Sequence, residues 1–456
     1  MIPVPAYQGK TIGVFGLART GLASCRALEA SGARVLAWDD NADRRAPVTD
    51  LAVDLYDHDF ADLDALLLAP GVPLTHPDPH PLVRKAQAAG VPIIGDVEIF
   101  QAARPSLPPH RLVAVTGTNG KSTTTALMDH VLGRTRHPSV AAGNIGVPVL
   151  SLKPLPEGGV YVFETSSFQI DLTLSLTADV AILLNMTPDH LDRHGDMAGY
   201  VKAKARLFEM QAADGTAVIS VDDAHCRPLA QSLPQRVIPI SVCGPVSGGV
   251  YADDSGRLID ATGDEPLAVG SFDANPALAG RHNLQNAAAV YAAGRALGLA
   301  SADIATAMAA FPGLAHRMEP LGEVDGIMFV NDSKATNADA AARALKAFDK
   351  VHWIAGGRAK DRELGPVLDA LGSVKHAYLI GEARGVLTEA LEGRVPVSAF
   401  EALDGAVAAA RAQAAPGDVV LLSPACASFD QYPDFEARGD HFRRLVGAVA
   451  AQGVHP

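Results

Sequence analysis

The stretch Val115-Thr116-Gly117-Thr118-Asn119-Gly120-Lys121-Ser122-Thr123 decides how the chain is read. It follows the apolar run Arg111–Val115, which has the length of a strand, and it opens a helical run from Ser122. Strand, glycine-rich turn and helix in that order make a phosphate loop. Consecutive amides over Gly117, Thr118, Asn119, Gly120 and Lys121 cradle phosphate oxygens, the Lys121 ammonium adds a point charge, and the Ser122 hydroxyl suits Mg²⁺. The spacing is shorter than Gly-x-x-x-x-Gly-Lys, because position 115 is Val. A chance Gly-Lys-Ser at a helix start is the competing reading, and the strand–loop–helix context weighs against it.

Working outward, strands alternate with helices. Thr11–Leu17, Arg34–Trp38, Ala65–Ala69 and Val91–Ile94 read as strands, with a helix over Thr20–Ala30. This rhythm predicts an α/β fold with a parallel sheet covered on both faces. Three prolines within 104–110 break it and predict a linker. A second unit has strands Arg111–Val115, Val160–Glu164 and Val180–Asn185, a helix over Met197–Ala212, short turn-rich strands in 236–272 and a helix over Asn283–Leu297. A third begins near Phe311-Pro312-Gly313-Leu314, with strands Ile327–Val330, Val351–Ala355, His376–Ile380 and Val419–Leu422. The expected domains are 1–107, 108–312 and 313–456.

A chain of 456 residues fits two to four domains. Its net charge of −13 argues against a nucleic-acid partner, which needs a basic face. No apolar run is long enough for a membrane span, and the first residues lack the pattern of a signal peptide. The four cysteines form no Cys-x-x-Cys pair, so a reducing cytoplasm is expected, without disulfides or a zinc site.

Further motifs stand at strand ends. Gly16-Leu17-Ala18-Arg19-Thr20-Gly21, with Asp39 after the next strand, nearly matches a dinucleotide fingerprint; Ala18 replaces the middle glycine. It reads equally as a nucleotide-diphosphate site or as a plain tight turn. Glu164 ends a strand beside the phosphate loop, where a carboxylate suits a metal. Asn185-Met186-Thr187-Pro188-Asp189-His190-Leu191-Asp192-Arg193-His194 follows another strand and holds two histidines and two aspartates. Met197, Tyr200, Val201, Lys204, Leu207, Phe208 and Gln211 form one helical stripe, which places Lys204 on an apolar face where burial lowers an amine's pKa. A lysine snorkelling at the core's rim is the plainer alternative. In the third unit His316–Glu319, Asn331–Asn337, Gly356–Asp361 and Ser423–Asp430 are polar or small-residue motifs, the last three after strands.

Together these motifs resemble the Mur ligases, amide-forming enzymes of peptidoglycan assembly. The likeness runs from Gly16 to Phe435 through Thr116–Thr123, Gly143-Asn144-Ile145-Gly146, Glu164–Gln169, His282-Asn283, His316-Arg317, Asn331–Asn337 and Ser423–Asp430. The last of these looks like the glutamate-adding branch, and the Asp-Asn-Pro-Arg of the diamino-acid-adding paralogue is absent. Arg19 stands where the family often has an apolar residue, and Phe429 where leucine is common.

The resemblance implies a Rossmann-like N-terminal domain for the UDP substrate, a P-loop-type central ATPase domain and a Rossmann-like C-terminal domain for glutamate. It implies ATP, Mg²⁺ (two ions) and a carbamate formed from CO₂ on Lys204. Arg19, Thr20, Asp39, Gly71, Asn144, Ser166 and Gln169 would meet UDP-N-acetylmuramoyl-L-alanine. The phosphate loop with Asn286, Arg317 and Asp332 would hold ATP. Ser122, Glu164, His190 and Lys204 would hold metal, with Lys121, His190 and Lys204 catalytic. Lys334, Thr336, Lys360, Ser428, Phe429 and Phe435 would receive D-glutamate, in a cytoplasmic monomer. The alternatives are a folylpolyglutamate-type ligase, a ligase for another amino acid, a nicotinamide-dependent oxidoreductase suggested by Gly16–Gly21, and a non-enzymatic nucleotide-binding regulator.

Replacing Lys121 by Ala is expected to abolish ATP-dependent turnover and leave the fold intact. ADP release and far-UV circular dichroism measure the two; near-normal turnover in a folded Lys121→Ala protein removes the phosphate-loop assignment.

Overall fold

Thr11–Phe15 (β1), Arg34–Trp38 (β2), Ala65–Leu68 (β3) and Ile93–Ile94 (β4) build a parallel sheet in the order β2-β1-β3-β4. The computed structural model describes residues 1–275, 277–278, 280–358 and 364–453, in two compact units, Met1–Pro312 and Gly313–Pro456.

The first unit holds a second sheet, formed by His110–Thr116 (β5), Ser139–Gly143 (β6), Gly159–Glu164 (β7), Val180–Leu183 (β8), Thr216–Ser220 (β9), Arg236–Ser241 (β10), Val250–Ala252 (β11), Leu258–Asp260 (β12) and Leu267–Gly270 (β13). The order is β13-β12-β11-β10-β9-β8-β5-β7-β6, parallel from β6 to β11 and antiparallel over β11–β13. All six residues of β7 are buried, because both faces are covered. Val160 and Val162 face Leu127, Met128 and Val131 of the Lys121–Arg134 helix, while Tyr161 and Phe163 face Phe100 of the Asp96–Ala103 helix. That second layer is continuous with Ile12 and Val14 of β1, so one apolar cluster joins the two sheets. Strand order runs outward from β5 in both directions, and in such sheets ligands sit beyond the carboxyl ends near the reversal.

The second unit is a six-stranded sheet of Glu319–Val324 (β14), Ile327–Asn331 (β15), Val351–Gly356 (β16), Val374–Ile380 (β17), Val397–Ala399 (β18) and Val419–Leu422 (β19), in the order β14-β15-β19-β16-β17-β18. Only β14 is antiparallel to its neighbour. The loops after β15, β19 and β16 are therefore neighbours at one edge.

The predicted strands are present within a few residues. Val91–Ile94 shortens to Ile93–Ile94 because the Val91 amide bonds back to Ala86 and closes the preceding helix. β6 and β14 gave no apolar run to read: β6 is Ser-Val-Ala-Ala-Gly, and β14 is an edge strand without a buried residue. Among the described residues, no helix is long and apolar enough to cross a membrane.

Phe100 is fully buried, with its ring 5.0 Å from Tyr161 and 4.7 Å from Phe163. Phe100→Ala should cost about 3–5 kcal/mol of stability. Urea unfolding reads this directly; a loss under about 1 kcal/mol would mean that the layer between the sheets does not act as one core.

Candidate functional site

The loop after β5 takes a shape that only its glycines permit. Gly117 and Gly120 have φ of +148° and +86°, and a Cβ on Gly120 would lie 2.3 Å from Asn286 Oδ1. The segment after β8 braces the loop. Thr118 and Asn119 amides donate to the Asn185 carbonyl and Oδ1, each at 2.8 Å, and the Thr118 hydroxyl donates to Thr187 O (3.1 Å). Lys121, Ser122 and Thr123 form the first turn of the helix, so backbone N–H groups and the helix dipole face the loop. Asn286 Oδ1 is buried without a hydrogen-bond partner.

Lys204 is 1% exposed, so the apolar stripe buries its amine rather than letting it snorkel. Its Nζ donates to Gly117 O (3.0 Å) and Thr116 Oγ1 (3.3 Å). Lys121 Nζ donates to the same Gly117 O (3.0 Å) and to Thr118 O (2.8 Å). Burial first, and the Lys121 charge second, push the Lys204 pKa down to about 7. About half of the amine is then neutral at pH 7.

Glu164 is buried at the end of β7. Its Oε1 accepts from Asn144 Nδ2 (2.7 Å), and its Oε2 is buried with no hydrogen-bond partner. Gly143 lets the neighbouring strand approach, since a Cβ there would lie 2.4 Å from the Glu164 carbonyl oxygen. His190 begins a one-turn helix, Leu191–His194, with φ +52°, and lies 3.5 Å from Asp189. The Phe168 ring touches both His190 (4.8 Å) and His194 (5.5 Å); His194 in turn meets Tyr200 (5.4 Å), which lies 4.8 Å from the Lys204 amine. Packed rings thus link His190 to Lys204.

Among the described residues no group of three or more His, Cys, Asp or Glu is arranged to hold a metal ion. That excludes an all-carboxylate cage there but suits Mg²⁺, which uses one or two carboxylates and takes further oxygens from water and phosphate. The orphaned Glu164 oxygen and the Ser122 hydroxyl fit such an ion.

Ser166 and Gln169 form a capping box on the helix Ser167–Asp171, so each has a structural duty besides any ligand contact.

At the first sheet, Gly16 has φ +95°, and a Cβ on Gly21 would lie 1.9 Å from Gly16 O, so helix and turn are pressed together. Asp39 is buried and accepts from the Leu17 amide (2.7 Å) and the Asn41 amide (2.9 Å), tying the β2 end to that turn. Arg19 and Thr20 open the Arg19–Ala30 helix, and Arg19 Nη2 donates to Gly146 O (3.0 Å). Gly71 lies exposed in the turn after β3.

In the second unit, Asp332 ties three segments. Its carboxylate accepts from the Met318 amide (3.1 Å) and the Ser423 hydroxyl (2.9 Å), and its own amide donates to Leu422 O (2.7 Å). Burial pushes its pKa up to about 6. Arg317 lies between two residues of positive φ, His316 (+62°) and Met318 (+45°). The Lys334 amine lies 5.6 Å over the Phe435 ring, and the Thr336 amide donates to Lys334 O (2.8 Å). Ser428 is buried, whereas Phe429 is 62% exposed. Lys360 lies outside the described residues.

Two arginines escaped sequence reasoning. Arg438 is buried and donates to Ser333 O and Oγ, Gly356 O and Cys426 O, stitching together the loops after β15, β16 and β19. Burial lowers its pKa to about 10. Nothing in Phe435–Gly453 marks that arginine as interior. Arg193 lies inside the motif around His190, among histidines and aspartates that carry the stronger local signal for chemistry.

Sequence comparisons agree with this geometry. The Mur ligase middle domain matches residues 115–294, and the Mur ligase glutamate ligase domain matches 316–426. The chain is 47% identical to the UDP-N-acetylmuramoylalanine--D-glutamate ligase of Caulobacter vibrioides, over 99% of each chain. It is 48% identical to the ligase of the same name from Paramagnetospirillum magneticum, over 100% of each. Solved structures share the fold. UDP-N-acetylmuramate-alanine ligase MurC from Thermotoga maritima has a TM-score of 0.58 at 18% identity, covering 96% of this chain and 99% of its own. MurF from Acinetobacter baumannii has 0.55 at 17%, covering 98% and 93%.

The lowered Lys204 pKa makes a signed prediction. Between about 7 and the ordinary lysine value of 10.5, the unfolded chain binds the extra proton, so stability gains with rising pH. In bicarbonate-free buffer, wild type should gain on Lys204→Met by on the order of 1 kcal/mol per pH unit above pH 7, and not below it. A flat difference in urea unfolding from pH 6 to 9.5 contradicts the burial of a neutral amine.

Proposed function

Because this chain belongs to the Mur ligase family, we propose that it joins D-glutamate to UDP-N-acetylmuramoyl-L-alanine with ATP, by way of an acyl phosphate, in peptidoglycan precursor synthesis. One observation carries the reading. In a chain nearly half identical from end to end to D-glutamate ligases, the phosphate loop places two lysine amines on one carbonyl, and β7 beside β5 ends in a buried, half-unpaired carboxylate.

The family uses ATP and Mg²⁺. The amides of Gly117–Thr123, with Asn286, Arg317 and Asp332, are assigned to ATP. Ser122, Glu164, His190 and a carbamylated Lys204 are assigned to two Mg²⁺ ions, which neutralise charge where a carboxylate and the γ-phosphate, both anions, must meet. Lys121 adds a fixed positive charge there. A neutral Lys204 amine would add CO₂ through its nitrogen lone pair and release one proton, leaving an anionic oxygen donor, which a charged amine cannot do.

Arg19, Thr20, Asp39, Gly71, Asn144, Ser166 and Gln169 are assigned to the UDP substrate. Lys334, Thr336, Lys360, Ser428, Phe429 and Phe435 are assigned to glutamate. The deprotonated glutamate amine attacks the acyl carbon, a C–N bond forms, the C–O bond to phosphate breaks, inorganic phosphate leaves with the electron pair, and the nitrogen gives up one proton. Water must be kept from the acyl phosphate until then. We place the enzyme in the cytoplasm as a monomer. The oxidoreductase reading gives the phosphate loop and Lys204 no role.

ADP release should require UDP-N-acetylmuramoyl-L-alanine together with D-glutamate; equal release with L-glutamate would refute the substrate assignment. Lys204→Ala should lose nearly all activity, and acetate should restore part of it while methylamine does not. Rescue by the amine alone would mean that Lys204 works as a cation.

A further inference from the structure

Arg193 sits on the Leu191–His194 turn, and its side chain crosses to the turn that ends β3. Nη1 donates to Gly71 O (3.0 Å); Nη2 donates to Val72 O (2.9 Å) and Pro70 O (3.4 Å). The guanidinium carbon lies 4.5 Å over the Phe168 ring, which contacts His190. The Arg193 amide donates to His190 O (3.0 Å), and the Thr75 hydroxyl donates to Arg193 O (3.4 Å). Nε is buried without a hydrogen-bond partner, so the fork is committed to the three carbonyls.

Three successive carbonyls aimed at one point are mutually repulsive dipoles, and the guanidinium offsets that repulsion. A trans peptide directs its N–H opposite to its C=O. The Gly71 N–H shares its peptide with the Pro70 carbonyl that Nη2 holds at 3.4 Å, so it points away from Arg193, at an exposed residue where an added Cβ would meet no atom within 4 Å. A donor on the carbonyl side polarises that peptide and strengthens its N–H. Lysine has no planar fork, so it does not reproduce the fixed spacing of Nη1 and Nη2 on these carbonyls together with the stacking over Phe168.

We infer that Arg193 is a positioning residue that couples the 70–72 turn, as a site for an anionic nucleoside diphosphate, to the His190 loop. The inference rests on the ligase reading above. Occupation of the turn then fixes Arg193, and Arg193 fixes His190 through its amide and through Phe168.

The test compares wild type, Arg193→Lys and Arg193→Ala as full chains, with circular dichroism as the check on folding. Arg193→Lys should raise KM for UDP-N-acetylmuramoyl-L-alanine at least tenfold and lower kcat, with KM for ATP changed less than twofold. Ethylguanidinium should partly restore Arg193→Ala, and ethylammonium should not. In wild type, the UDP substrate without ATP should slow amide exchange over 189–194 as well as 70–75. Unchanged KM in Arg193→Lys, an equal rise for ATP, or slowed exchange confined to 70–75 overturns the inference. The exchange measurement decides even where a variant does not fold. Wild type that ignores the UDP substrate would instead overturn the ligase reading.

Discussion

Two lysine amines share the carbonyl oxygen of Gly117, each at 3.0 Å, and this contact sets the character of the site. Two charged amines so close, one of them buried, repel each other with little screening. Burial first, and this repulsion second, lower the Lys204 pKa to about 7, so about half of that amine is neutral at pH 7. The neutral fraction of Lys204 is the form that the proposed carbamate requires.

The surroundings keep that arrangement in place. The Gly117–Gly120 loop bends as only glycine allows, and Asn185 and Thr187 grip it from the end of β8. Parallel pairing sets Val115 beside Glu164 and Glu164 beside Gly143, so a carboxylate and the phosphate loop end neighbouring strands. One Glu164 oxygen is held by Asn144 and the other is buried without a hydrogen-bond partner. The apolar layer through Phe100 supports this position, because it joins the first sheet to the sheet of the phosphate loop.

The second unit repeats the strategy with different groups. Adjacent parallel strands deliver three loops to one edge, and a buried arginine, Arg438, ties them by donating only to carbonyls and a hydroxyl. It has no salt-bridge partner among the described residues, so its charge adds a positive field under the loops assigned to a dicarboxylic amino acid.

The sequence alone determined what depends on local order. Strand–loop–helix at Thr116–Thr123 marks a phosphate loop because the glycines, the lysine and the hydroxyl are consecutive. The stripe through Tyr200, Lys204 and Leu207 showed a lysine on an apolar face because helical periodicity is local. Alternating strands and helices gave the parallel sheets. The tertiary structure decided what depends on residues far apart in the chain. Asn144 meets Glu164 across paired strands, Lys204 meets Lys121 across 83 positions, Asp332 reaches Ser423, and Arg193 reaches Pro70–Val72. Ser166 and Gln169 turned out to cap a helix, and Phe429 to face solvent. Periodicity tells which face of a helix is apolar, but the groups a buried charge will meet there are set by strand order, and no local pattern encodes strand order.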